Sequence, residues 1–139
     1  MIKFVTAINC IDGRAQLPVI NFLKKESEKI AVDTITTPGA DKVLSELANQ
    51  QEVKAIKEKI EISVKGHNSK LIAIVGHYDC LGNPVDDDTH KKQILKSAEN
   101  LKKWFPQVRV LGLWLNKHWQ IEVITDLKEI LQSAREGKC

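Results

Sequence analysis

The sequence predicts an α/β fold of three layers, with helices on both faces of a mostly parallel sheet and one antiparallel strand at its edge. Three observations carry this reading. Strand-like and helix-like segments alternate along the 139 residues in the order β-α-β-α-α-β-α-β-β-α. The first and third strand candidates are continuous apolar runs rather than alternating ones, as strands buried on both faces must be. The last two strand candidates are joined by only a few residues, which suits a hairpin and rules out a crossover.

In chain order, Ile2, Phe4, Val5, Ala7 and Ile8 make the first strand, bounded by Asn9 and Gly13. Pro18 sits near the start of a helical pattern with Val19, Ile20 and Leu23 apolar, followed by charge over 24–29. Residues 30–36 form the second strand and Thr37-Pro38-Gly39 the turn that closes it. Asp41 is the expected cap of a short helix carrying Val43, Leu44 and Leu47. Val53, Ile56, Ile60 and Val64 repeat at helical spacing up to Gly66. Residues 71–75 are the third strand, running into Gly76-His77-Tyr78-Asp79-Cys80. Asp86, Asp87 and Asp88 precede a helix with Ile94, Leu95, Ala98 and Leu101 inward, stopped at Pro106. Acidic residues at that end complement the helix dipole, so the run is a cap before it is a metal site. Residues 108–115 are the fourth strand and 119–125 the edge strand; Asp126 is expected to cap a last helix that packs Ile130 and Leu131.

Composition excludes several classes. The chain has the length of one domain, 1–139, with no repeat or linker. A net charge of +3, with lysines mixed among glutamates on helical faces, gives no one-sided basic stripe for nucleic acid. No apolar run is long enough to span a bilayer, and the N-terminal one lacks the length and cleavage pattern of a signal peptide. Three cysteines without an export signal point to reduced thiols in a cytoplasm.

Two of those thiols stand at strand ends beside polar chemistry. Cys10, Asp12 and Arg14 follow the first strand at alternate positions, and extended backbone turns such residues to one side. His77 and Cys80 end the third strand, and a tight turn lets this His-x-x-Cys pair bind one ion. Open α/β sheets bind ligands outside the carboxyl ends of their strands, where all five fall. Two thiolates and an imidazole suit Zn²⁺, and three protein ligands leave a fourth position for water. The plainer alternatives are buried thiols with a hydrogen-bonded histidine, and an ordinary Asp12–Arg14 salt bridge. His90 and His118 read as surface or capping histidines, and Trp104, Trp114 and Trp119 as core or interface.

Cys-x-Asp-x-Arg after one strand and Gly-His-x-x-Cys after a later one resemble the β-class carbonic anhydrases. Pro18 with its helix, the Pro38-Gly39 turn and the late hairpin fall in similar order, so the resemblance spans nearly the whole chain. It departs in having Leu81 where the family usually has Gly after the second Cys, with Gly82 one later. The Pro38-Gly39 turn also lacks the Asn-Ala-Gly often found there, and no N-terminal helical arm precedes the first strand.

The resemblance implies a β-carbonic-anhydrase-like fold, zinc on Cys10, His77 and Cys80, and a catalytic dyad of Asp12 and Arg14. It implies reversible hydration of carbon dioxide to bicarbonate by zinc-bound hydroxide. Asp12 would orient the nucleophile, and Arg14 would hold Asp12 off the metal. The rival readings are a zinc hydrolase acting on carbonyl sulfide or carbon disulfide, and a non-catalytic zinc-binding relative. A homodimer or higher homo-oligomer is expected, with Trp114, Leu115 and Trp119 near the edge strand as its surface.

Overall fold

A computed structural model describes residues 1–128 of the chain. Five strands form one sheet in the order β2-β1-β3-β4-β5. They are β1 (Lys3–Asn9), β2 (Ile30–Thr36), β3 (Leu71–His77), β4 (Arg109–Leu115) and β5 (Ile121–Leu127). The first four run parallel and β5 pairs antiparallel to β4. Helix α1 (Gly13–Leu23) covers one face of the sheet; α2 (Ala40–Glu46), α3 (Gln50–Glu61) and α4 (Asp87–Trp104) cover the other. The three-layer αβα architecture is thus the one expected. No helix among the described residues is long and apolar enough to cross a membrane.

Each strand face builds its own core because side chains alternate along extended backbone. Val5, Ala7, Ala73, Val75, Leu111, Leu113 and Leu115 meet Ala15, Val19 and Leu23 of α1. Ile8, Ile35, Ile72, Ile74 and Val110 meet Leu44, Ile56, Ile60, Ala98 and Leu101 of the other three helices. A fully buried residue of this kind contributes about 1.5–3 kcal/mol relative to an exposed one. The double-sided burial of β1 and β3 is what their continuous apolar sequence encodes.

Helix ends account for several departures from expectation. α1 begins at Gly13, well before Pro18, because the Asp12 side chain accepts the Arg14 amide and caps the helix. Pro18 lies inside α1 and withholds only the amide that would bond to the Arg14 carbonyl. Asp41 does not cap α2; Gly39, with φ +61°, holds that position and Asp41 is buried in the first turn. The acidic run behaves as expected, since Asp86 accepts the Thr89 amide at 2.7 Å and Asp87 and Asp88 fill the first turn of α4. α3 continues into a π-helical turn (Ile62–Gly66). There Ser63 Oγ donates to Asp33 Oδ2 of β2 at 2.7 Å, and His67, stacked on Phe4, donates to the same oxygen through Nδ1 at 2.7 Å.

The last strand is also corrected. β5 starts at Ile121, leaving Trp119 in the turn, and Asp126 lies within the strand instead of capping a helix. Arg109 of β4 donates to both Asp126 carboxylate oxygens, at 2.8 and 2.7 Å, which explains its place in the ladder. The expected final helix with Ile130 and Leu131 lies outside the described residues. Trp114 and Leu115 are 1% and 0% exposed, so they are core and offer no surface to a partner.

Candidate metal centre

Parallel register brings the two motifs together. Ile8 of β1 lies opposite Ile74 of β3, so two residues further on Cys10 falls level with Gly76, beside His77. The turn after β3, with Asp79 at φ +57°, returns Cys80 to the same point. One ligand atom from each of Cys10, His77 and Cys80 lies within 4.8 Å of the others, and all three residues are buried.

The chemistry of this donor set fits a metal ion. The two Sγ atoms are 3.9 Å apart, far beyond a disulfide. Two thiolates about 2.3 Å from one tetrahedral ion would stand about 3.8 Å apart. His77 Nδ1 donates to the Tyr78 carbonyl at 2.7 Å, which fixes the ring tautomer and leaves a lone pair on Nε2. That Nε2 is buried and has no hydrogen-bond partner among the described residues. A buried unpaired acceptor costs about 1–3 kcal/mol, and coordination is a way to recover it. Burial, followed by the neighbouring Cys10, pushes the Cys80 thiol up to about 11, while the Gly82 and Asn83 amides donate to it and pull the other way. A cation entering at neutral pH must therefore displace a proton from Cys80.

Asp12 and Arg14 meet at the edge of this centre. Arg14 Nε donates to Asp12 Oδ1 at 3.1 Å and Nη2 to Asp12 Oδ2 at 2.7 Å, a bidentate pair. These hydrogen bonds from Arg14 hold the Asp12 carboxyl down to about 2. Arg14 has two further partners that sequence reasoning missed. It donates to Asp79 through Nη1 to Oδ2 and Nη2 to the carbonyl, both at 3.2 Å. Its guanidinium also lies 4.7 Å over the Trp119 ring, which in turn stands 6.4 Å from the His77 ring. Asp79 sits inside His-x-x-Cys and could have been suspected there, whereas nothing in the sequence links Trp119 to residue 14.

His90 also departs from its expected place. It is 1% exposed, not a surface histidine, and its Nδ1 lies 2.6 Å from Asp41 Oδ2. Asn83 joins the pair from the Cys80 turn, donating to Asp41 Oδ1 at 3.0 Å. His118 is exposed as expected, Trp114 is core against His90, and Trp104 packs beside the core under Lys57.

Comparison with known proteins follows the same line. The sequence model of a family described as "Putative carbonic anhydrase" matches residues 1–125. No curated protein matches. Among solved structures, a carbonic anhydrase from Glaciozyma antarctica is 14% identical, with 86% of this chain and 81% of that one covered and a TM-score of 0.56. One of two tetrameric β-carbonic anhydrases from Sordaria macrospora is 13% identical, with 88% and 80% covered and a TM-score of 0.53. The β-carbonic anhydrase CafA of Aspergillus fumigatus is 13% identical, with 99% and 81% covered and a TM-score of 0.51. At such identities the likeness establishes the fold.

Proposed function

The chain belongs to this carbonic anhydrase family, and on that footing we propose that it is a zinc enzyme interconverting carbon dioxide and bicarbonate. The observation that carries the reading is His77 Nε2, buried, without a hydrogen-bond partner among the described residues, and set among two thiols at tetrahedral spacing. Cys10, His77 and Cys80 would hold the ion. When bound, zinc supplies a Lewis acid that makes water nucleophilic near neutral pH.

Asp12 and Arg14 do the rest. Asp12 is ionised throughout the neutral range, so it accepts hydrogen bonds and does not serve as an acid. Its Oδ1 is taken by the Arg14 amide and Nε, but among the described residues Oδ2 carries only Nη2 and has a lone pair to spare. That lone pair accepts from the attacking water and turns the water's own lone pair towards the carbon of the substrate. Arg14, charged at any working pH and held from the far side by Asp79, keeps the carboxylate at this station and off the metal.

The same reading makes the protein a cytoplasmic homo-oligomer. Cys10 and Cys80 are free thiols, as a reducing compartment requires. Around the mouth of the site Leu81, Ile11 and Tyr78 are 94%, 60% and 40% exposed, an apolar rim that a second copy would cover. Stopped-flow hydration of carbon dioxide, on protein assayed for zinc, tests the activity. Zinc-replete protein no faster than buffer would overturn it and leave a non-catalytic zinc protein.

A further inference from the structure

The loop between β4 and β5 begins beside His77. Leu115, the last residue of β4, pairs with His77, and its carbonyl accepts the Tyr78 amide at 2.9 Å. The loop that follows is tightly bound. The Asn116 amide donates to the Gln120 carbonyl at 3.0 Å, and the Trp119 amide to the Asn116 carbonyl at 2.8 Å. Asn116 Oδ1 accepts the His118 and Gln120 amides at 2.9 and 3.2 Å, and Asn116 Nδ2 donates to Glu122 Oε2 at 2.8 Å. Such a hairpin turn closes on a left-handed residue, a position that glycine usually fills. Here the occupant is Trp119, at φ +58°. A bulky side chain in that region is strained, and the strain persists where surrounding contacts fix it, commonly at a functional site.

What the strained residue reaches is Arg14. Four side-chain hydrogen bonds run from the guanidinium to both Asp12 oxygens, to Asp79 Oδ2 and to the Asp79 carbonyl. The N–H groups of a guanidinium point outward in its plane, so these bonds grip its edges and leave its faces free. The Trp119 ring covers one face, with Arg14 Cζ 4.7 Å from the ring centroid. Asp79 is itself at φ +57°, so two of the four non-glycine residues at positive φ among the described residues converge on this one side chain. The Arg14 side chain is 49% exposed, and without the ring water would reach that face and compete for its donors. The ring is anchored in turn, packing against the core beneath α1 and standing 6.4 Å from the His77 ring.

We propose that Trp119 is a positioning residue of the site: from a strained hairpin turn, its π face fixes the tilt of the Arg14 guanidinium, the freedom that in-plane bonds leave open, and so holds Asp12 at its station. The half of this that concerns catalysis rests on the zinc reading above; the half that concerns Arg14 does not.

The test uses the full chain and three variants. Trp119→Leu keeps apolar bulk and the same backbone strain but loses the π face. Trp119→Phe keeps a smaller aromatic face, and Trp119→Gly suits the turn while removing the side chain. In metal-free protein, the Arg14 Nε–H should exchange with solvent about tenfold faster in Trp119→Leu and Trp119→Gly, the effect of losing a cation–π contact of middling strength, and about twofold faster in Trp119→Phe. Backbone amides of α1, β4 and β5 should exchange as in the parent. Loaded with zinc, Trp119→Leu and Trp119→Gly should hydrate carbon dioxide about tenfold more slowly at equal zinc content, and Trp119→Phe about twofold more slowly. A merely structural role would move the backbone amides and would not be rescued by phenylalanine. Arg14 Nε–H exchange equal to the parent's in Trp119→Leu and Trp119→Gly overturns the proposal. So does a Trp119→Phe protein as impaired as Trp119→Leu, or faster exchange with an undiminished rate. A zinc-replete parent no faster than buffer refutes the zinc-enzyme reading instead, and the exchange result then decides the hold on Arg14 alone.

Discussion

Gly76→Ala offers a quantitative check on how the metal loop is seated. The added Cβ would stand 2.5 Å from Asp41 Oδ2 and 2.9 Å from Ile94 Cδ1. The backbone has little room to withdraw, because Gly76 pairs with Trp114 of β4 and β3 is bonded to β1 just before it, through Ile74. The carboxylate must therefore swing away and give up the bond from His90 or from Asn83, each worth about 1.5–3 kcal/mol when a charged group is involved. Crowding against Ile94 adds about 1–3 kcal/mol of overpacking. Together these remove about 3–6 kcal/mol, a large share of the roughly 5–15 kcal/mol that holds a domain of ordinary size. At about 3–5 °C per kcal/mol for a chain of this length, the melting temperature should fall by about 9–30 °C. Circular dichroism of the metal-free protein reads this directly. Gly66→Ala is the control, since its Cβ would meet only Ile62 Cγ2 at 4.0 Å. A Gly76→Ala protein melting within about 2 °C of the parent would refute the argument that the carboxylate lies against this strand.

Three further outcomes are expected. The purified chain should hold about one zinc per chain, and Cys80→Ser should lose most of it in metal analysis after dialysis; full retention would refute the ligand assignment. In Arg14→Ala the Asp12 carboxyl, at about 2 in the parent, should titrate near the ordinary value of about 3.9 by NMR. A depressed carboxyl contributes stability that is complete above its unfolded value and is lost as pH falls through its folded one, so the parent should lose more stability than the variant between about pH 4 and pH 2. The same variant should let Asp12 turn onto the metal and slow hydration, and a crystal structure with an open metal and an undiminished rate would sink that idea. Finally, the chain should sediment as a dimer or larger at micromolar concentration, and Leu81→Lys should shift it towards monomer; a parent that is monomeric throughout argues against the apolar rim as an interface.

What could be read from the sequence was whatever depends on local pattern. Continuous apolar runs marked β1 and β3 because burial on both faces leaves no room for alternation. Cys10, His77 and Cys80 could be placed together because two adjacent parallel strands end there, and strand ends are defined by the residues that follow them. What could not be read depends on contacts between distant segments. Asp41 and His90 are 49 positions apart, and either alone resembles a helix cap or a surface residue. Trp119 reads as a strand residue, but a φ of +58° puts it in the turn and over Arg14. Asp126 has the look of an N-cap, yet Arg109 claims it across the hairpin. Asp12 serves two ends at once, capping α1 and pairing with Arg14, and only the second use was apparent.

The polar cluster on β2 has a consequence for how the molecule behaves in company. β2 is the outer parallel strand of the sheet, and one of its flanks has no neighbouring strand among the described residues. Such a flank is a template for another chain, and flat apolar ones nucleate aggregates. Here the middle of the strand carries Asp33, whose carboxylate is engaged by Ser63 and His67. A second strand laid alongside would have to seat its own side chains next to that charge and the imidazole clamped to it. The cluster thus places a charged carboxylate and the imidazole clamped to it beside the sheet's open border, where a flat apolar strand would invite pairing.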